Sequence, residues 1–493
     1  MNRLRYALAA TAAILIAVAW IGLLSVRSGI VQTRVDFDGV PAVVMRPTVT
    51  ENAPAVLVGH GFAGSKNLML GYGYTLAQAG YVVILWDFAG HGDNANRIDD
   101  VPVQADVDTI YAALAAMPNV DLTRVGILGH SRGSGAAMAA GVRDPDRFGA
   151  VVAVSPVNAA VTPQLPRNLM FQAGSLEAPF VANAERLLVD AGGHNADLSQ
   201  GLGRTFQLIP NAEHISILFR PLSQQLALAW FDASFGHVAQ RIVTDVRVIW
   251  YALHLLAWLL MLAATAPLWP QSDERAALRP RSHVRWGGLR AVIGLIVSPL
   301  AGIGVVWLVE QATPAAQIGG ILVAGAVAIW LAAAGIVWRA TNGYAFSLKT
   351  KHPLGDVATA AALFVVLSLA FGVMSPHVWL PWWMIPQRLA VWPLLVVGVF
   401  PWFWVVGQVQ EHGGVALRVL WWIAKSAVMV TAMIVLISVA PGMGILSLMA
   451  PLLPILFAIL DFANAQVRRP LGYALGSALF FGWVLAVVFP LAG

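Results

Sequence analysis

A series of bilayer-length apolar runs, with one stretch of different pattern set between the first and the second, limits the fold more than any single motif does. Tyr6 to Val26 carries no charge and follows Arg3 and Arg5. About 20 such residues suffice for a helix to cross the hydrocarbon core of a bilayer. Beyond His237 eight more runs follow: Val248–Trp269, Gly288–Val309, Ala316–Trp338, Val357–Met374, Leu389–Gly407, Val419–Ala440, Gly442–Leu460 and Leu471–Leu491. Only Pro441-Gly442 separates Val419–Ala440 from the next run, which leaves the count open by one. Charged residues are 11% of the 493 and hydrophobic residues 58%, against about 25% charged in a soluble domain. This is the composition of a membrane protein, but charges are frequent from Arg27 to Arg247 and sparse beyond. The chain has no cysteine, which excludes disulfides, thiolate metal sites and a thiol nucleophile. Its net charge of +5 is spread without a dense Lys/Arg run, so nucleic acid is not an expected partner.

Loop charges set the expected orientation, because Lys and Arg near span ends stay on the cytoplasmic side. Arg275, Arg279, Arg281 and Arg285 fall in one loop, Arg339, Lys349 and Lys351 in a second, Arg418 in a third, and Arg468 with Arg469 in a fourth. These are alternate loops; those between carry at most Glu310 or Arg388. Nine spans then put the N-terminus inside, Arg27–Arg247 outside and the C-terminus outside. Ser375–Arg388 becomes an outer loop whose Trp379, Trp382 and Trp383 suit an interfacial belt. The first run reads as a signal peptide or an uncleaved anchor. Its length and the lack of an A-x-A-like site before Arg27 favour the anchor, and either reading exports the next segment across a bacterial-type inner membrane. The expected organisation is an anchor at 1–30, a globular domain at 31–240 and a transmembrane domain of about eight helices at 241–493.

In 31–240 short apolar runs alternate with helical stretches and turn residues. Val31 to Met45 predicts a hairpin turning at Asp38-Gly39. Strands are expected at Ala55–Val58, Tyr81–Trp86, Arg124–Leu128, Gly149–Val154, Asn168–Gln172 and Arg204–Ile209. Helices are expected at Asn67–Ala79, Val103–Met117, Ser131–Gly141, Ala178–Ala191 and Ile215–Phe231. Strand–helix alternation implies right-handed crossovers and a mostly parallel sheet with helices on both faces. In such sheets chemistry sits at the C-terminal strand ends.

One strand end stands out. Val125 to Gly135 reads VGILGHSRGSG, a G-x-S-x-G between a strand and a helix. Glycines there allow a sharp turn that lifts the Ser131 hydroxyl to a helix N-terminus, where negative charge is favoured. An activated serine needs a base, an orienting acid and oxyanion donors. Glu177 follows the strand Asn168–Gln172, and His214 follows the strand Arg204–Ile209. Ser131, Glu177 and His214 thus stand past three different strands, in the order nucleophile, acid, base.

Residues about 31–235 resemble the α/β-hydrolase superfamily, nearest to its dienelactone-hydrolase-like and prolyl-oligopeptidase-like branches. The resemblance rests on His60-Gly61-Phe62, Asp87-Phe88-Ala89-Gly90-His91-Gly92, Val120-Asp121 through Gly133, Gly174 to Glu177, and Glu213-His214. It implies that the Phe62 and Arg132 backbone N–H groups form the oxyanion hole. It implies further that Ser131 attacks a carbonyl, that His214 is base and then acid, and that Glu177 holds the histidine tautomer. The acid is Glu where Asp is commoner, with Asp190 and Asp197 as the alternatives, and Ser134 stands where a second glycine is usual. His60 and His91 match structural motif positions. His60 and His130 are pocket candidates, and Asp87 is expected to cap the turn after its strand. No His/Asp/Glu spacing suggests a metal, and no cofactor is called for.

Ser155–Arg167 is too short for a cap domain, so the site is open unless the membrane region or the Trp-rich loop covers it. The expected partners are membrane lipids and a small-molecule or lipid-like acyl substrate. The expected activity is ester or thioester hydrolysis at a membrane, with peptidase activity, acyl transfer by the same triad, or lipid handling and transport as rivals. In the membrane region Lys425, Asp461 and His254 are the ionisable residues to account for.

Overall fold

The computed structural model describes residues 3–49, 51–270, 284–343, 350–409, 414–467 and 469–492. Of the loop cations used for orientation, Arg275, Arg279, Arg281, Lys349 and Arg468 lie outside the described residues. The chain forms two compact units. One holds Trp20–Tyr251 with Ser375–Trp382; the other holds Met1–Ala19, Ala252–Met374 and Trp383–Ala492. The first helix, α1 (Arg3–Ser25), contributes to both.

In the first of these units, β1 (Ile30–Phe37) and β2 (Val40–Pro47) form the expected hairpin, pairing Phe37 with Val40. Its two-residue turn requires positive φ at both positions, which Asp38 (50°) and Gly39 (84°) adopt. There follow β3 (Ala53–Gly59), α2 (Leu70–Ala79), β4 (Val82–Trp86), α3 (Val103–Ala115), β5 (Val120–His130) and α4 (Arg132–Arg143). Then come β6 (Ala150–Val154), β7 (Leu169–Gly174), α5 (Ala178–Asp190), β8 (Arg204–Ile209) and α6 (Pro221–Phe235). The eight strands lie in the order β1-β2-β4-β3-β5-β6-β7-β8. β2 is antiparallel to β1 and β4, and the other pairs are parallel.

Alternation along the central strands splits the core into two layers. Ala55 and Leu57 of β3 pack with Val107, Ile110 and Leu114 of α3 and with residues of α4 and α5. Val56 and Val58 pack on the opposite face with Leu70, Tyr72 and Leu76 of α2 and with Ala227, Leu228 and Phe231 of α6. Each fully buried aliphatic side chain contributes about 1.5–3 kcal/mol, so the sheet is a rigid platform for the loops at its ends. This is the α/β-hydrolase fold. One expected element is divided: Ile215–Phe231 becomes a single 3-10 turn at Ser216–Phe219 and then α6, which opens at Pro221. Proline lacks an N–H and its ring clashes with the carbonyl four residues back, so it opens a helix and does not continue one. Between β6 and β7, residues 155–168 contain neither helix nor strand.

The segment Ser375–Trp382 belongs to this same unit. Arg247 Nη1 donates to the His377 carbonyl (2.7 Å), Arg27 Nη2 donates to His377 Nδ1 (2.6 Å), and Asn67 Nδ2 donates to the Pro376 carbonyl (2.7 Å). Asp245 grips Arg247 with both carboxylate oxygens, at 2.8 and 2.7 Å. Four chain segments far apart in sequence therefore meet in one hydrogen-bonded junction.

The other unit is helical: α7 (Arg247–Thr265, shared), α8 (Val284–Glu310), α9 (Ala324–Thr341), α10 (Pro353–Leu367), α11 (Pro386–Val409), α12 (Val415–Val439), α13 (Leu452–Gln466) and α14 (Pro470–Val488). Among the described residues eight helices of the chain are long and apolar enough to cross a membrane. The pair Pro441–Met449 and Leu452–Gln466, bent by 57°, raises the number to nine if it is one span. The expected run Ala316–Trp338 is α-helical only from Ala324; before it lies a short 3-10 stretch, Ala315–Gly320, in which Ile318 (ψ 129°) and Gly319 (φ 83°) leave the helical region. Lys425 is buried; its ammonium pairs with Asp461 and lies 4.7 Å over the Phe457 ring. Arg469 pairs with Asp356 at 3.2 Å, and His254 Nε2 donates to the Leu369 carbonyl at 2.9 Å. A charge within a membrane region is stabilised by such partners.

Candidate active site

β5 delivers Ser131 on a strained turn. The serine has φ 52° and ψ −120°, directly between β5 and the first residue of α4. A non-glycine residue in such a region costs about 1–3 kcal/mol and persists where its surroundings fix it. Several contacts fix it. Ser131 N–H donates to the Val154 carbonyl (2.9 Å), while its own carbonyl accepts Ser134 N–H (2.8 Å) and the Ser134 hydroxyl (2.5 Å). The Ser134 oxygen also accepts Val157 N–H (3.1 Å), which gives the serine that replaces a second glycine a role in bracing the turn. A Cβ on Gly129 would lie 1.9 Å from the Gly133 carbonyl oxygen, and one on Gly133 2.5 Å from the His60 carbonyl oxygen. Side chains are therefore excluded from both positions.

Glu177 and His214 meet across two loops. The Glu177 carboxylate is buried and accepts three hydrogen bonds: at Oε1 from Gly174 N–H (2.6 Å) and the Ser155 hydroxyl (2.8 Å), and at Oε2 from His214 Nδ1–H (2.8 Å). The last bond fixes the tautomer of His214 and leaves its Nε2 lone pair available. The imidazole is stacked on Phe180 (centroids 4.3 Å, 24°) and leans on His130 (4.6 Å, 45°). Its loop is stiffened by Glu213, which accepts Ile215 N–H (3.0 Å) and Ser216 N–H (2.6 Å) while its own N–H donates to Ser216 Oγ (3.0 Å). The alternative acids are engaged elsewhere: Asp190 pairs with Arg186 at 2.6 Å, and Asp197 accepts the Ser199 hydroxyl at 2.7 Å.

The neighbouring histidines support backbone. His60 Nδ1–H donates to the Gly61 carbonyl (2.7 Å) and its Nε2 accepts Phe88 N–H (3.1 Å), so the neutral ring joins two loops. Burial lowers its pKa to about 4. His91 Nδ1–H donates to the Ala89 carbonyl (2.8 Å), and its ring packs on His60 and Phe62. His130 Nε2–H donates to the His214 carbonyl (2.9 Å), and burial holds its pKa well below the usual histidine value. Gly61 runs against the elbow: a Cβ there would lie 3.1 Å from Ser131 Cβ and 2.8 Å from His130 Nδ1. Beneath this turn Asp87 accepts Lys66 N–H (2.7 Å), the Lys66 ammonium and Asp93 N–H (2.8 Å). Asp87 thus caps its turn, as expected, and also closes a buried ion pair. Sequence reading passed over Ser155, whose position directly after a strand was the one available signal, and gave Glu213 no role.

Residues 50–199 match the family model described as serine aminopeptidase, S33 (Hydrolase_4). An uncharacterized protein of Mycobacterium tuberculosis, found in two strains, is 32% identical over 139 residues, 28% of this chain and 45% of its own length. The chain thus spans under half the length of the curated relatives it matches. Among solved structures, a dienelactone hydrolase from Anabaena variabilis is 19% identical and aligns over 43% of this chain and 99% of its own, with a TM-score of 0.33. The esterase Est22 is 17% identical over 43% and 82%, with a TM-score of 0.33. A membrane phospholipase A titled a bacterial virulence factor is 16% identical over 47% and 97%, with a TM-score of 0.31.

Proposed function

Since the chain carries an α/β-hydrolase domain beside a set of membrane-length helices, we propose that it is a membrane-embedded serine hydrolase acting on esters or thioesters through an acyl-Ser131 intermediate. The observation that carries this reading is the Glu177–His214 hydrogen bond of 2.8 Å, formed past the ends of β7 and β8, which lie beyond β6 on one side of the elbow strand β5. Ser131 Oγ attacks the carbonyl carbon while His214 Nε2 takes its proton. The Glu177 carboxylate stabilises the imidazolium that forms. The oxyanion is met by Arg132 N–H, which opens α4 and has no intrahelical acceptor, and by Phe62 N–H. His214 then protonates the leaving alcohol or thiol. Water, deprotonated by the same histidine, cleaves the acyl-serine and restores the enzyme. The aminopeptidase description of the matching family model favours amide hydrolysis as the second reading.

The hydrolase domain lies on the extracytoplasmic side of the inner membrane, with the N-terminus in the cytoplasm. Loop charge supports this, and parity is consistent with the hydrolase domain and the outer loop being on one side. Ser375–Trp382 shares a unit with the hydrolase domain, and four spans (α7 to α10) separate the two along the chain, an even number that returns to the starting side. A reporter active only in the cytoplasm, fused within 271–283, should be active; silence there overturns the orientation. The catalytic reading is tested by fluorophosphonate labelling of the full-length protein. Wild type should label, while Ser131→Ala and His214→Ala should not. An unlabelled wild type, or a labelled Ser131→Ala, refutes it.

A further inference from the structure

Every buried or half-buried cation of the hydrolase unit but one has a partner. Arg27, Lys66, Arg124, Arg204, Arg220 and Arg247 each donate to a carboxylate, a carbonyl or a hydroxyl. Arg132 is the exception. Among the described residues its half-buried guanidinium makes no hydrogen bond and no ion pair; it lies over the Phe62 ring, 5.6 Å from the centroid. Two carboxylates attract it from a distance. Asp99 is exposed, and Asp106 is buried, accepts Ala89 N–H (3.0 Å) and is held up near pKa 6 by burial. A cation drawn out of water without a partner is unfavourable, and a counter-ion relieves the penalty.

The position of this charge gives it meaning. Arg132 directly follows Ser131, and Phe62 follows Gly61, whose Cα faces the serine Cβ. Phe62, Ser131, Arg132 and His214 are all half-exposed, so each is within reach of solvent. A guanidinium resting on an aromatic face keeps its N–H edge free, and that edge matches the two oxygens of a carboxylate or phosphate. We infer that Arg132 is the specificity-determining residue of the proposed hydrolase, recognising an anionic carboxylate or phosphate that the substrate carries beside its scissile ester. This rests on the serine-hydrolase reading and narrows it to acidic esters.

The experiment compares matched esters on the full-length protein in detergent. Mono-4-nitrophenyl succinate against 4-nitrophenyl pentanoate places a carboxylate on the acyl side. Lysophosphatidic acid against the monoacylglycerol of the same chain places a phosphate on the leaving group. The readout is the ratio of kcat/KM, charged over neutral, within each variant, so a general loss from a disturbed elbow cancels. Wild type should favour the charged member at least tenfold in one arm, and the preference should shrink with added salt. Arg132→Gln should lower that ratio about tenfold, and Arg132→Lys should keep part of it. The arm that responds tells which group carries the anion. A wild-type ratio near one in both arms, or a ratio unchanged in Arg132→Gln, overturns the inference while Ser131-dependent turnover leaves the hydrolase reading standing. Absence of Ser131-dependent turnover on all four esters, together with absent fluorophosphonate labelling, overturns both.

Discussion

Glu177→Gln is the sharpest perturbation of the proposed triad, because the structure dictates how the amide must sit. Oε1 receives two donors, Gly174 N–H at 2.6 Å and the Ser155 hydroxyl at 2.8 Å. The glutamine oxygen must occupy that place, since an NH2 there would face a backbone N–H. The NH2 then takes the place of Oε2 and points its hydrogens at His214 Nδ1, 2.8 Å away in the wild type. Nδ1 must become an acceptor, so the ring proton moves to Nε2, the nitrogen that has to receive the serine proton. The histidine is held in the wrong tautomer with its geometry intact. Such a change costs about 10,000-fold in kcat, or about 5 kcal/mol of transition-state stabilisation. Steady-state hydrolysis of a 4-nitrophenyl ester should show the loss in kcat with KM nearly constant, and fluorophosphonate labelling should slow in parallel. Asp190→Asn and Asp197→Asn serve as controls and should leave both rates within about twofold of wild type. A Glu177→Gln variant within tenfold of wild type would refute the assignment. Ser155→Ala removes one of the three donors to the carboxylate and should cost roughly tenfold, since Gly174 N–H still holds Oε1.

Two further predictions concern stability. Gly129→Ala would place a methyl 1.9 Å from the Gly133 carbonyl oxygen and 2.6 Å from Ser134 N, all backbone that no rotamer change can move. A loss of about 3 kcal/mol or more is expected, visible in thermal melting of the detergent-solubilised protein, and a curve overlaying wild type contradicts it. His60 titrates near pH 4 when folded and near 6.5 when unfolded, so the unfolded chain binds the proton between these values. Its contribution is therefore full above pH 6.5, and about 3 kcal/mol is lost as pH falls to 4. Asp106, raised to about 6, acts with the opposite sign across much of the same window, so the test is the difference between wild type and His60→Gln. Their melting temperatures should be furthest apart at pH 7.5 and converge toward pH 4; a constant gap contradicts the assignment.

The parts of this protein written in local pattern were legible from the chain. Runs of about 20 apolar residues give membrane-length helices, alternating short runs give the parallel sheet, and the glycines of Gly129–Gly133 give an elbow that side chains would block. Local pattern also supplied the order Ser131, Glu177, His214, because each follows its own strand. It did not decide how these groups engage. Ser155 lies 22 residues from Glu177, His130 lies 84 from His214, and Arg27 lies 350 from His377. No periodicity links such pairs; they meet because sheet order and crossovers bring strand ends together. The same holds for the charge of Arg132. In sequence it is one arginine among many, and the fold leaves it half-buried after the serine, over the face of Phe62, with no hydrogen bond or ion pair among the described residues. Sequence by itself determined a hydrolase-type domain joined to a membrane region. Tertiary structure decided which carboxylate oxygen holds the histidine and which arginine lies beside the serine without a carboxylate in contact, because both depend on distances between residues that the chain keeps far apart.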